Sequence, residues 1–112
     1  MESAIWGNTT MVILKLLAEE DMYGYQIINE IMKKSDNIFN LKAGTLYPIL
    51  HGLEKDGMVT SYDETAGNQR VRKYYKITSK GKSLLEEKES ECMTYMHALN
   101  RLMGWGEEHA TT

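Results

Sequence analysis

The 112 residues contain a single cysteine, a single proline and a single phenylalanine. One cysteine, Cys92, excludes an intramolecular disulfide and suits a reducing cytoplasm. No apolar run approaches the roughly 18 residues that cross a bilayer, so no membrane association is expected. The opening MESAIWGNTT lacks the basic stretch and long apolar core of a signal peptide. There is no glycine-rich phosphate loop, no serine or cysteine nucleophile motif and no pair of metal ligands at a workable spacing. Cys92 and His97 stand five apart and would leave a helix in different directions. The expectation is therefore a non-enzyme without catalytic residues, metal or cofactor. Positive charge is also short overall, with 13 basic residues against 16 acidic ones and a net charge of -3.

The distribution of that charge matters more than its sum. Gln69 to Lys82, QRVRKYYKITSKGK, carries Arg70, Arg72, Lys73, Lys76, Lys80 and Lys82 without one carboxylate. The acids gather at Glu86, Glu87, Glu89, Glu91, Glu107 and Glu108. A local basic stripe can hold a polyanion even on an acidic chain. The bland alternative is a solvated strand followed by a helix start.

The stretch Lys42 to Val59, KAGTLYPILHGLEKDGMV, organises the rest. Leu46, Ile49, Leu50 and Leu53 recur at helical spacing and form one stripe. Gly44, Pro48, His51 and Lys55 fall opposite, on a slim face without large aliphatic groups. Lys55-Asp56-Gly57 is a helix stop. Because proline deep in a helix is costly, the helix is expected to start at about Ala43 to Thr45, which puts Pro48 near its first turn.

Before it, Asn8 or Thr9 caps a helix running to Glu19 whose apolar residues exceed one stripe, which suggests core on one face and a second subunit on another. Glu20 to Met22 reads as a turn, and Tyr23-Gly24-Tyr25 opens a second helix with Ile27, Ile28, Ile31 and Met32 inward. After it, Met58 to Tyr62 and Val71 to Ile77 read as two strands around a loop at Asp63 to Gln69, with its tip at Gly67-Asn68. Val71, Lys73, Tyr75 and Ile77 share one face of the second strand, and Arg72, Tyr74 and Lys76 the other. Thr78 or Ser79 caps a last helix reaching Met103, about 37 Å long at 1.5 Å per residue. Leu85, Cys92, Tyr95, Met96, Leu99, Leu102 and Met103 make a heptad-like seam along it, too long to be covered by a small domain alone. The predicted class is mainly α with a small β-ribbon. It comprises a winged helix-turn-helix over residues 1–78, a C-terminal dimerisation helix over 79–104 and a tail over 105–112.

With that order in view, YGYQI, GTLYPILHGLEKDGMV and RKYYKIT followed by Gly81 resemble the PadR-like family of bacterial transcriptional regulators, in its short form with one C-terminal helix. The resemblance covers about residues 9–85. It implies a homodimeric, cytoplasmic repressor that binds an inverted-repeat operator in double-stranded DNA and is released by a ligand or stress signal. It also implies DNA contacts from the start of the third helix and from the wing. Chemistry selects the same places. Lys42, Thr45 and Tyr47 stand near a helix N-terminus that favours phosphate, and His51 lies one turn further along. Arg70, Arg72 and Lys73 would follow the DNA backbone or enter the adjacent minor groove.

For several of these residues a plainer role competes. Tyr47 could pack over the second-helix junction instead, and His51 could be merely solvated. Tyr23 and Tyr25 read as core and turn residues rather than DNA contacts, and one of Tyr74 and Tyr75 should be core. Two rival functions stand beside the regulator. One is a sensor whose pocket between subunits, lined by Trp6, Tyr95, Met96 and Trp105, takes a small hydrophobic or aromatic effector. The other is a winged-helix protein-interaction module, which the acid-free basic stretch disfavours.

Overall fold

The computed structural model describes residues 8–65 and 67–105. Among these residues, four helices and a three-stranded antiparallel sheet follow one another: α1 (Thr9–Glu19), β1 (Met22–Tyr23), α2 (Gly24–Lys34), α3 (Ala43–Lys55), β2 (Val59–Thr65), β3 (Val71–Ile77) and α4 (Ser79–Met103). The strand order is β1-β3-β2. This is a winged helix-turn-helix, with α2 and α3 as the helix pair, β2 and β3 as the wing, and the long C-terminal helix that the periodicity predicts. Among the described residues no helix is long and apolar enough to cross a membrane.

One core serves all these elements. Ile13, Leu14 and Leu17 of α1, Ile27 and Ile31 of α2, Leu46, Leu50 and Leu53 of α3, and Val59, Tyr75 and Ile77 of the sheet pack together. Leu46 and Leu50 lose all their exposure, and full burial of such a side chain is worth about 1.5–3 kcal/mol. The stripe on α3 therefore sets the helix's rotation and leaves Gly44, Pro48, His51, Gly52 and Lys55 outside. The apolar surplus of α1 is mostly taken up by this same core, which leaves Met11 and Val12 half-buried.

Helix ends follow local chemistry. After α2, Asp36 and Asn37 take left-handed φ of 56° and 66°, and the Asn37 N–H reaches back to the Met32 carbonyl at 2.8 Å. After α3, Gly57 takes φ 79° while the Met58 N–H closes on the Leu53 carbonyl at 2.8 Å, as the Lys55-Asp56-Gly57 signal predicts. Thr78 caps α4 by accepting from the Gly81 N–H at 3.0 Å, and its hydroxyl is shared between the carbonyls of Gly57 (2.7 Å) and Met58 (2.9 Å).

Several expectations need correction. The sheet has a third strand, because Met22 and Tyr23 pair with Tyr75 and Tyr74 instead of only turning the chain. Two residues carry no periodicity that could have announced it. Strand β2 runs to Thr65 and does not stop at Tyr62, so Asp63 and Glu64 stand opposite Lys73 and Arg72 instead of lying in a loop. Facing opposite charges favour the ladder where acidic residues alone would not. α3 does begin at Ala43, within the expected range. Pro48 is nevertheless its sixth residue and lies in the second turn, so the helix still carries a defect that usually costs about 3 kcal/mol. Tyr25, expected in the core or turn, is 62% exposed. Leu85, expected in a seam between subunits, is 6% exposed within the single chain, where α4 packs on the domain. The core ends there. Tyr95, Met96, Leu102 and Met103 stay 45% to 83% exposed along a helix that stretches the molecule to 54 × 29 × 24 Å.

Gly81 is the contact point between α4 and the α3–β2 junction. A Cβ there would run into the Met58 carbonyl and come within 2.8 Å of Ile77 Cγ1. Glycine-to-alanine in a helix ordinarily stabilises by about 1 kcal/mol. Here the sign reverses, and Gly81→Ala is expected to cost about 1–3 kcal/mol in urea unfolding. Equal or greater stability of the variant would contradict this packing.

Candidate nucleic-acid interface

The exposed side of α3 is built from the top down by its own stripe. Lys42 precedes the helix in an extended conformation and is exposed, as are Thr45 and His51. Tyr47 behaves differently. Its ring is half-buried over the first turn of α2, where a side chain at Gly24 would collide with it. Burial pushes the Tyr47 hydroxyl's pKa up, with Tyr25 adding to the effect. Tyr47 thus wedges α3 against α2, and its ring centroid stands 6.5 Å from that of His51. The only carboxylate on α3, Glu54, accepts a 2.6 Å hydrogen bond from Ser61 of β2.

The wing presents its candidates on different sides. Arg70 lies at the tip, held by its N–H donating to Asn68 Oδ1 at 3.1 Å beside Gln69 at φ 66°. Lys73 is exposed on the face of β3 that also carries Tyr75, which is buried. Arg72 faces the other way and sits 4.4 Å from the centre of the Tyr23 ring, a cation–π contact. Tyr23 meets Tyr74 edge-on at 5.4 Å, and Tyr74 stacks on Tyr62 at 5.7 Å. Tyr62 ends the row by donating a 2.7 Å hydrogen bond to Asp21. That row was not legible in the sequence, since Asp21 and Tyr62 are 41 residues apart. The pairing of Asp63 and Glu64 with Lys73 and Arg72 also moderates the basic stretch that looks acid-free in the chain.

The other predicted residues are spread along α4. Cys92 and Leu99 are half-buried, whereas Tyr95, Met96, Leu102, Met103 and Trp105 are exposed. Trp6 lies outside the described residues. A cavity of about 250 Å³ opens elsewhere, between α1, α2 and the linker before α3, and Val12, Ile31, Phe39 and Leu41 line it. Ile38 and Phe39 beside it gave no periodic signal. Among the described residues, no group of His, Cys, Asp and Glu could hold a metal ion.

A helix pair with a slim outer face, flanked by a wing carrying arginine at its tip, defines the class of winged-helix regulators. Residues 13–87 match the transcriptional regulator PadR-like family, and the chain belongs to it. Members of that family are regulators and not enzymes. The chain is 41% identical to an uncharacterized protein of Lysinibacillus sphaericus over 83 residues, 74% of this chain and 76% of that one. A transcriptional regulator of Clostridium thermocellum superposes with a TM-score of 0.79 at 35% identity, covering 87% of this chain and 94% of the other. Bacillus subtilis PadR, solved in complex with operator DNA, superposes with a TM-score of 0.64 at 27% identity over 70% of this chain and 43% of its own.

The Tyr62–Asp21 bond gives a spectroscopic test of the aromatic row. The bond pushes the Tyr62 pKa up to about 12 from 10.0, with smaller contributions from desolvation and neighbouring acids. The protonated phenol is thus favoured in the folded state, a contribution that holds below pH 10 and fades as pH rises toward 12. The pair is at the surface, where solvent screens it. Tyrosinate absorbance should show late-titrating groups, of which Tyr62→Phe removes one and leaves those that burial raises, Tyr47 and Tyr75. A titration curve of unchanged shape would mean that the bond to Asp21 does not hold in solution.

Proposed function

We propose that the chain is a dimeric, DNA-binding repressor that places the outer face of α3 in the major groove and the wing along the flanking backbone. The observation that carries this reading is the fixed rotation of α3. Its buried leucines leave Gly44, Pro48, His51 and Gly52 outward, a face slim enough for close backbone approach. Lys42 and Thr45 at the head of the helix suit phosphate, and Arg70, Arg72 and Lys73 supply the wing's positive charge. Tyr47, packed against α2, orients the helix beside these contacts. The operator complex of the B. subtilis relative supports the same use of the fold. Most such contacts position a protein, and few read bases. Such a regulator works in the cytoplasm, where its DNA is.

Two further features support the finer reading. The distal half of α4 exposes an apolar seam that a second copy would cover, which would put two α3 helices in successive major grooves about 34 Å apart. An inverted repeat with half-sites one turn apart follows. Tyr95, Met96 and Trp105, soft or flat and exposed near the end of that helix, suit release by a small hydrophobic or aromatic effector.

Selection of bound fragments from a random DNA pool tests the central reading, and an inverted repeat is the expected result. Arg70→Ala should weaken binding to all sequences alike and reduce the slope of log affinity against log salt by roughly 0.9 if it removes one phosphate contact. An unchanged slope returns Arg70 to the solvated surface. For the dimer, Leu102→Glu is informative because Leu102 is 83% exposed and the single subunit does not need it. Sedimentation should show dimers for the wild type and monomers with weak operator affinity for the variant. A wild-type monomer at micromolar concentration would exclude the dimeric arrangement.

A further inference from the structure

The proline in α3 removes a hydrogen bond at a particular atom. In an α-helix the N–H of each residue closes on the carbonyl four positions earlier. Proline has no N–H, so the helical bond from Pro48 to the Gly44 oxygen does not form. Gly44 and Pro48 both lie on the exposed face of α3. A Cβ built at Gly44 meets nothing within 4 Å, and the same holds at Gly52, two turns along. No side chain of residue 44 shields the oxygen, and neither glycine holds a partner away from the backbone.

The same face is poor in other acceptors. Asparagine, glutamine and aspartate are absent from Ala43–Lys55, which leaves the Thr45 hydroxyl and the His51 ring as its exposed side-chain acceptors. Glu54 is the only carboxylate there and is bonded to Ser61 at 2.6 Å. The long exposed groups around the face, Lys42 and Lys55, only donate. A peptide oxygen without its helical bond adds a main-chain acceptor to those of Thr45 and His51, on a face where close backbone approach is open.

We infer that the Gly44 carbonyl reads sequence directly, by accepting a hydrogen bond from a base amine in the major groove. The donors available there are the 6-amine of adenine and the 4-amine of cytosine. Each half-site then has one position restricted to a base pair that presents such an amine to α3. This deepens the operator reading above and rests on it. It also gives the costly proline a role, since the second-turn defect adds a main-chain acceptor to those that the side chains of α3 supply.

The test compares wild type with Pro48→Ala, whose new N–H closes on the Gly44 oxygen and withdraws it. DNA selected by the wild type is resynthesised with single amines deleted, purine replacing adenine or 2-pyrimidinone replacing cytosine, and with uracil replacing thymine in separate duplexes. One amine deletion per half-site should weaken wild-type binding roughly tenfold, the scale of one lost hydrogen bond. Pro48→Ala should melt at the same or a higher temperature, keep its salt dependence and be insensitive to that deletion. The wild-type arm depends on no variant folding. Wild-type binding that tolerates every amine deletion overturns the inference. So does sensitivity to uracil alone at the position relaxed in Pro48→Ala, which would assign the discrimination to the proline ring against a thymine methyl. If the wild type selects no common sequence at all, the operator reading fails and the inference falls with it.

Discussion

The burial of Leu46, Leu50 and Leu53 is the constraint on which the rest depends. These side chains lock α3 into one rotation against Ile13, Ile27 and Val59, and everything on the opposite side is determined by exclusion. A recognition surface made in this way needs little chemistry of its own. Gly44, Pro48 and Gly52 contribute chiefly what they lack, while Lys42, Thr45 and His51 stand around them. Tyr47 strengthens the lock from the side, because Gly24 admits its ring to the first turn of α2.

The wing is tied to the same core by two separate means. On one face of β3, Tyr75 and Ile77 are buried, and burial pushes the Tyr75 hydroxyl's pKa up. On the other face, the row from Arg72 through Tyr23 and Tyr74 to Tyr62 and Asp21 joins the ribbon to the segment ahead of α2. Arg72 is thereby partly committed to the protein, and Arg70 at the tip is the less encumbered of the two cations.

Elements with strong periodicity were readable in the chain. The leucine stripe of α3, the Gly57 stop, the Thr78 cap and the end of α4 at Met103 stand where the residues place them. What was not readable depends on distance in sequence. Strand β1 exists because β3 returns beside it, and the Tyr62–Asp21 bond joins segments no local pattern connects. Leu85 has the spacing of a seam residue, yet the domain reaches far enough along α4 to cover it. Spacing shows which residues share a face but not where one partner ends and another begins. For the candidate site, residue type and position identified Lys42, Thr45, His51 and Arg70 as exposed groups, whereas the orientation of Arg72 and the wedge of Tyr47 emerged only with tertiary packing.

The junction around Met58 has a mechanical meaning. Its carbonyl accepts from both the N–H and the hydroxyl of Thr78, Gly81 sits against it without a side chain, and Lys80 Nζ reaches the Asp56 carbonyl at 3.0 Å. The foot of α4 is thus tied to the turn that closes α3. A tilt of about 5° at that foot, carried along an arm of roughly 37 Å, displaces the far end by about 3 Å. A partner gripping the free half of α4 is therefore positioned by the angle at which this foot meets the domain.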